Sequence, residues 1–182
     1  MMQELIDVLD ENGIFTGSVV PRDKVHQKGL WHRAIIVVIV NKENQILLQQ
    51  RSNSKEKNPG MWDISVAGHI SAGQDSLSAA AREINEEISV NLGAYVDVRE
   101  FRFMTSFRSE VVYSENFIER QFYDFFILRR DDMNLAKIIF QPSEVQAIQF
   151  VSLSELAAMR EKKELVPREN VYEILTNYLF RM

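Results

Sequence analysis

The chain has 182 residues and a formal net charge of −5, from 21 basic and 26 acidic side chains, and it contains no cysteine. The acidic balance argues against a general nucleic-acid binder, which needs a basic face to displace counterions, although a local basic pocket suffices for a small anion such as a nucleotide. The missing cysteines exclude disulfides, thiolate nucleophiles and cysteine zinc sites.

In chain order, Glu4 to Leu9 reads as a first strand, followed by a turn at Asp10-Glu11-Asn12-Gly13. Pro21 to Lys28 reads as a short helix with proline in its first turn. Ala34 to Val40 is rich in β-branched residues and predicts a buried strand. A turn at 41–44 leads to a partner strand, Gln45 to Arg51, and then to a polar loop from Ser52 to Gly60. Ile64 to Ala67 is a short strand ending at Gly68. Asp75 or Ser76 can cap the helix that comes next. In that helix Leu77, Ala80, Ala81, Ile84 and Ile88 form one apolar face. Val96 to Phe107 and Gln121 to Leu128 are strand-like, and their phenylalanines are expected in the core by alternation. Val145 to Val151 is a further strand. Ser152 to Lys162 and Arg168 to Phe180 close the chain as helices, the first with capping-box spacing at Ser152 and Glu155. The last helix carries an apolar stripe that packs on the domain or forms a dimer face.

Strands interleave with helices without a strict βαβ repeat, which predicts an α/β fold with a mixed sheet and helices on its faces. No repeat, low-complexity stretch or linker signal divides the chain, so one domain over residues 1–182 is expected. The start of the chain lacks a signal-peptide pattern and no apolar run has bilayer length. A cytoplasmic protein without a membrane partner is expected.

The polar side of the Leu77–Ile88 helix is unusual. Glu83, Glu86 and Glu87 stand at i, i+3 and i+4 and emerge on one face, with Arg82 beside them. Carboxylates this close repel, and a divalent cation between them offsets the repulsion. Oxygen-only ligands suit magnesium or manganese, and magnesium takes further oxygens from a substrate phosphate. A solvated acidic face with an Arg82–Glu86 pair is the alternative.

The surrounding segment runs Gly68-His-Ile-Ser-Ala-Gly-Gln74, then Asp75 to Ala81, then Arg82-Glu83-Ile84-Asn-Glu86-Glu87-Ile-Ser89-Val90. It resembles the Nudix box, residues 68–90 here. Gly68, Arg82, Glu83, Ile84, Glu86, Glu87 and Val90 match in register. Gln74 stands where that family has glutamate, and Ser89 where it has glycine. The resemblance implies a Nudix-type α/β/α sandwich and hydrolysis of a nucleoside diphosphate linked to another group. It implies Glu83 and Glu87 as principal metal ligands, Glu86 as an additional one, and Arg82 as the residue that orients a carboxylate. The metal, Mg2+ or Mn2+, would polarise phosphate oxygens and help generate the attacking hydroxide. The general base is not fixed within the family. Glu144 and Glu119, each placed just before a strand, are the nominees, with a solvated strand-end glutamate as the alternative for each.

The region upstream is also similar to type I isopentenyl diphosphate isomerases and a bacterial Nudix subgroup related to them. Leu47-Leu48 to Arg51, Lys55, Pro59-Gly60-Met61-Trp62-Asp63 and Gly68-His69 carry this resemblance. It implies that Arg51 and Lys55 hold a diphosphate, with solvated loop charge as the alternative. It also implies a second metal site at His32, His69 and, with spacing one residue out, His26. The isomerase reaction itself is disfavoured. The catalytic cysteine of that family is Ala67 here and its later glutamate is Gln121, and neither can relay a proton. Three functions therefore compete: a hydrolase acting on a small phosphoanhydride substrate, a weakened ligand-binding domain on the same scaffold, and, behind both, an isomerase. A homodimer is expected from the resemblance alone.

Overall fold

The computed structural model describes residues 3–88, 96–131, 133–138 and 141–180. The last two box positions, Ser89 and Val90, lie outside them. The fold is α/β with a mixed sheet, as the sequence predicts. Two compact units are distinguished: residues 1–37, 67–84 and 96–127 form the first, and residues 38–66, 85–95 and 128–182 the second.

In the first unit, β1 (Leu5–Leu9) and β2 (Phe15–Pro21) pair antiparallel. Asp10 closes their turn, its Oδ1 accepting from the backbone N–H groups of Asn12 and Ile14 at 2.9 Å each. These bonds, that from Ile14 above all, hold its carboxyl below the usual range. The sequence reading missed β2, because Phe-Thr-Gly-Ser-Val-Val-Pro lacks alternation and carries a glycine. Its first five residues are exposed, so no buried face imposed a pattern. Helix α1 (Arg22–Lys28) follows, and Pro21 sits before it in extended conformation rather than inside its first turn. Gly29 ends α1 in the left-handed region at φ 60°.

Strand β3 (Trp31–Val40) meets β1 at Leu9 and also pairs with β6 (Val66–His69) and β8 (Phe117–Arg129). Helix α2 (Ser76–Glu87) is capped by Asp75, whose Oδ1 accepts from Ser78 N–H at 2.9 Å. Ala80, Ala81, Ile84 and Ile88 are buried as expected, while Leu77 is 37% exposed. The strand expected from Val96 begins only at Phe101. Asp97 and Glu100 form a reciprocal capping box that winds Val98–Glu100 into a 3-10 turn. Strand β7 then runs Phe101–Ser114, longer than expected, and Phe103 is 55% exposed rather than in the core.

In the second unit, β4 (Ile46–Arg51) pairs antiparallel with β5 (Trp62–Ile64) and β9 (Val145–Val151) and meets the end of β3 at Val40. The single strand expected over Ile64 to Ala67 is two, β5 and β6, broken at Ser65. The Ser65 hydroxyl donates to Leu47 O at 2.6 Å and accepts from Ile39 N–H at 2.8 Å, replacing ladder bonds with side-chain ones. Helix α3 (Leu153–Glu161) starts at the predicted Ser152–Glu155 capping box, and α4 (Glu169–Phe180) follows. Among the described residues no helix is long and apolar enough to cross a membrane.

Candidate active site

Gly68, at the end of β6, faces Glu83 of α2. A Cβ built at Gly68 would lie 2.1 Å from Glu83 Cδ, so the missing side chain is what makes room for this carboxylate. Glu83 is buried at 8% exposure, and Arg82 Nη1 lies 2.8 Å from its Oε1. Arg82 is itself held from the other side. Its Nη2 donates to His69 O at 2.9 Å and to Gln74 Oε1 at 3.5 Å, so Gln74 reaches the box arginine despite lacking a charge. Gly68→Ala is expected to lower turnover by about a hundredfold, the scale of a 1 Å misplacement of a reacting group. Turnover within threefold of the unsubstituted chain would show that Glu83 needs no such room.

On the last turn of α2, Glu86 is exposed and Glu87 half-buried. Gln49 of β4 donates from Nε2 to Glu87 Oε2 at 3.2 Å. That bond orients the amide, because the other flip would set oxygen against carboxylate. Gln49 Oε1 is left buried without a hydrogen-bond partner among the described residues, beside an anionic group. Within the second unit, the Glu87 carboxylate and the orphaned Gln49 oxygen are hard oxygen donors of the kind that suit Mg2+ or Mn2+.

The β4–β9 register sets the next group. Arg51 pairs with Val145, so Glu144 falls beside the 52–60 loop, and its backbone O accepts from Ser52 N–H at 2.9 Å. The Glu144 carboxylate is ion-paired with Lys55. The nominated base and one nominated phosphate-binding cation thus hold each other. Arg51 is engaged elsewhere: Nε donates to Lys57 O at 3.1 Å, and Nη1 lies 3.5 Å from Asp63. Asp63, 1% exposed, receives a two-pronged contact from Arg168 at 2.6 and 3.0 Å. Burial alone would raise the Asp63 pKa, but the charges and hydrogen bonds of Arg168, with Arg51 behind it, take it below the ordinary value.

The three histidines converge. Their ligand-capable nitrogens lie within 4.8 Å of one another, including that of the loosely spaced His26. His26 and His32 are buried and His69 half-buried. Burial lowers the His32 pKa, opposed by its bond to Leu30 O. His26 also stacks on Phe117, with ring centroids 4.5 Å apart. Glu119 is not ahead of a strand as expected but inside β8, because that strand begins at Phe117. Trp31 packs on Phe122 and carries the Arg108 guanidinium over its ring at 4.3 Å.

Three side chains escaped the sequence reading, Gln49, Tyr123 and Asp124, and Asp63 entered it only as the end of the Pro59–Asp63 stretch, without a role. Asp124 is buried and accepts from Arg33 at 2.8 Å and from the hydroxyls of Ser76 and Ser106, which ties the start of α2 to β3, β7 and β8. A lone acid within an aromatic strand, or between Trp62 and Ile64, was the available signal. A buried carboxylate requires partners.

The NUDIX domain family matches residues 30–172. Nudix hydrolase 3 of Arabidopsis thaliana is 37% identical over 166 residues, 90% of this chain, although the chain spans only 21% of that relative's length. An uncharacterised Nudix hydrolase of Listeria monocytogenes is 34% identical, over 88% of this chain and 87% of its own. An isopentenyl-diphosphate Delta-isomerase of Serratia proteamaculans is 32% identical over 66% of this chain and 63% of its own. Among solved structures, DR0079 of Deinococcus radiodurans superposes with a TM-score of 0.70 at 22% identity, covering 96% of this chain and 98% of that one. With a box helix that keeps its Arg-Glu and Glu-Glu pairs and a glycine cradling the first glutamate, the chain belongs to the Nudix hydrolase family.

Proposed function

We propose that this chain hydrolyses a phosphoanhydride bond in a nucleoside di- or triphosphate, or in a nucleoside diphosphate derivative, using Mg2+ or Mn2+ held by Glu83, Glu87 and Glu86 of α2. The observation that carries the reading is the cradle: Gly68 gives up its side chain to admit a buried carboxylate that Arg82 orients. Such a divalent cation would screen the phosphate oxygens and the charge that develops on the leaving group. The protein's own part is positioning. Arg82 fixes Glu83, Gln49 fixes Glu87, and both amide and guanidinium are tied back to the backbone or buried.

Lys55 is the cation we assign to the substrate phosphate. A phosphate drawing Lys55 away releases the Glu144 carboxylate, which can then accept a proton from the attacking water. Arg51 supports the same side of the loop through Asp63 and Lys57 O. Isomerase chemistry is disfavoured because Ala67 and Gln121 cannot exchange protons with carbon. Chelating divalent metal is expected to abolish phosphate or pyrophosphate release from a nucleotide, with Mg2+ or Mn2+ restoring it. Turnover that survives chelation would contradict the assignment to α2.

A further inference from the structure

Gln121 sits at the meeting point of the three imidazoles. Its Nε2 lies 3.1 Å from His32 Nε2 and 3.3 Å from His69 Nε2, and His26 Nε2 lies 3.1 Å from His69 Nε2. The proton positions follow from the partners. His32 Nδ1 stands 3.0 Å from Leu30 O, a carbonyl that only accepts, so Nδ1 carries hydrogen. An amide nitrogen only donates, so the His32 Nε2 that faces Gln121 must present its lone pair. At the other end of the amide, the Tyr123 hydroxyl donates to Gln121 Oε1 and keeps the oxygen away from the rings. The second amide N–H is then directed at His69 Nε2.

The lone pairs that accept from Gln121 are those a transition metal would need. A cation entering the cluster would have to break both amide bonds and would then face N–H groups of its own sign of charge. A carboxylate of the same shape would supply an anionic oxygen instead. We infer that the Gln121 amide closes the His26–His32–His69 cluster as a hydrogen-bonded, metal-excluding site, and that glutamate at position 121 would open it to a transition metal. The inference does not depend on the hydrolase reading, since none of these four residues belongs to the α2 carboxylate set.

The test is titration of Co2+ into the full chain with α2 saturated by Mg2+, followed by calorimetry and by visible ligand-field absorption. Gln121→Glu is expected to gain one Co2+ equivalent that the unsubstituted chain does not take up, as a flanking carboxylate in place of an amide favours the bound metal. His69→Gln should abolish that gain, and should leave Co2+ binding by the unsubstituted chain unchanged. Overturning results are a Co2+ equivalent in the unsubstituted chain that His69→Gln removes, or a folded Gln121→Glu protein with no gain. If Gln121→Glu does not fold, nitrogen NMR of the histidine rings in the unsubstituted chain decides. The His32 Nε2 resonance should be that of a bare, hydrogen-bond-accepting nitrogen and should not move with Zn2+. Movement with one equivalent of Zn2+ would overturn the inference.

Discussion

Glu87→Gln is expected to cut turnover by at least about a hundredfold, roughly 3 kcal/mol of lost transition-state stabilisation. The substitution keeps the shape of the side chain and removes one anionic oxygen. Gln49 can still bond the carbonyl of the new amide, so the local packing survives. Glu87 is half-buried on the last turn of α2, where an isosteric change should leave the melting temperature within a few degrees. The effect should appear in kcat together with weaker Mn2+ binding, measured by the water-proton relaxation of the bound ion. A variant that keeps both turnover and Mn2+ affinity would remove Glu87 from the metal set.

Asp63→Asn is expected to destabilise the fold by about 3 kcal/mol or more, because removing one partner of a buried ion pair leaves the other charge uncompensated. Here two guanidiniums depend on one carboxylate, Arg168 at 2.6 and 3.0 Å and Arg51 at 3.5 Å. The midpoint of urea denaturation checks it, and a loss below about 1 kcal/mol would place the pair among contacts of surface strength. The sign of the pH dependence follows from the depressed pKa. As pH falls, the unfolded chain takes up the proton first. The stabilisation is therefore complete above the ordinary aspartate range near pH 4 and is lost as the pH drops through the lower folded-state value. Arg168→Met should remove most of that acid sensitivity.

The contrast between these two residues shows what could be read in advance. Glu83, Glu86 and Glu87 were legible because helical spacing and a long box fix their register, and α2 spans them as expected. The capping box at Ser152 and the strand at Val145–Val151 were legible because both are local patterns. Strand β2 and the far half of β7 were not, since exposed strands carry no hydrophobic alternation. Asp63, Asp124 and Gln49 act through partners 12 to 105 positions away, on other elements, a separation no local period records. Lys55 and Glu144 were each nominated singly, but their pairing depends on the β4–β9 register. The three histidines were expected together, whereas the role of Gln121 emerges only when its two ends are seen to face different partners.

The box glutamates are proposed to make this chain a phosphoanhydride hydrolase. The most direct measurement is phosphate and pyrophosphate release from a panel of nucleoside di- and triphosphates, dinucleotides and nucleotide sugars, with Mg2+ or Mn2+ and with Glu87→Gln as the control. Metal-dependent release well above the control is expected from at least one of these classes. Metal and nucleotide binding without turnover anywhere in the panel would contradict it, and would make this chain a ligand-binding domain with Gln74 as the first residue to restore to glutamate.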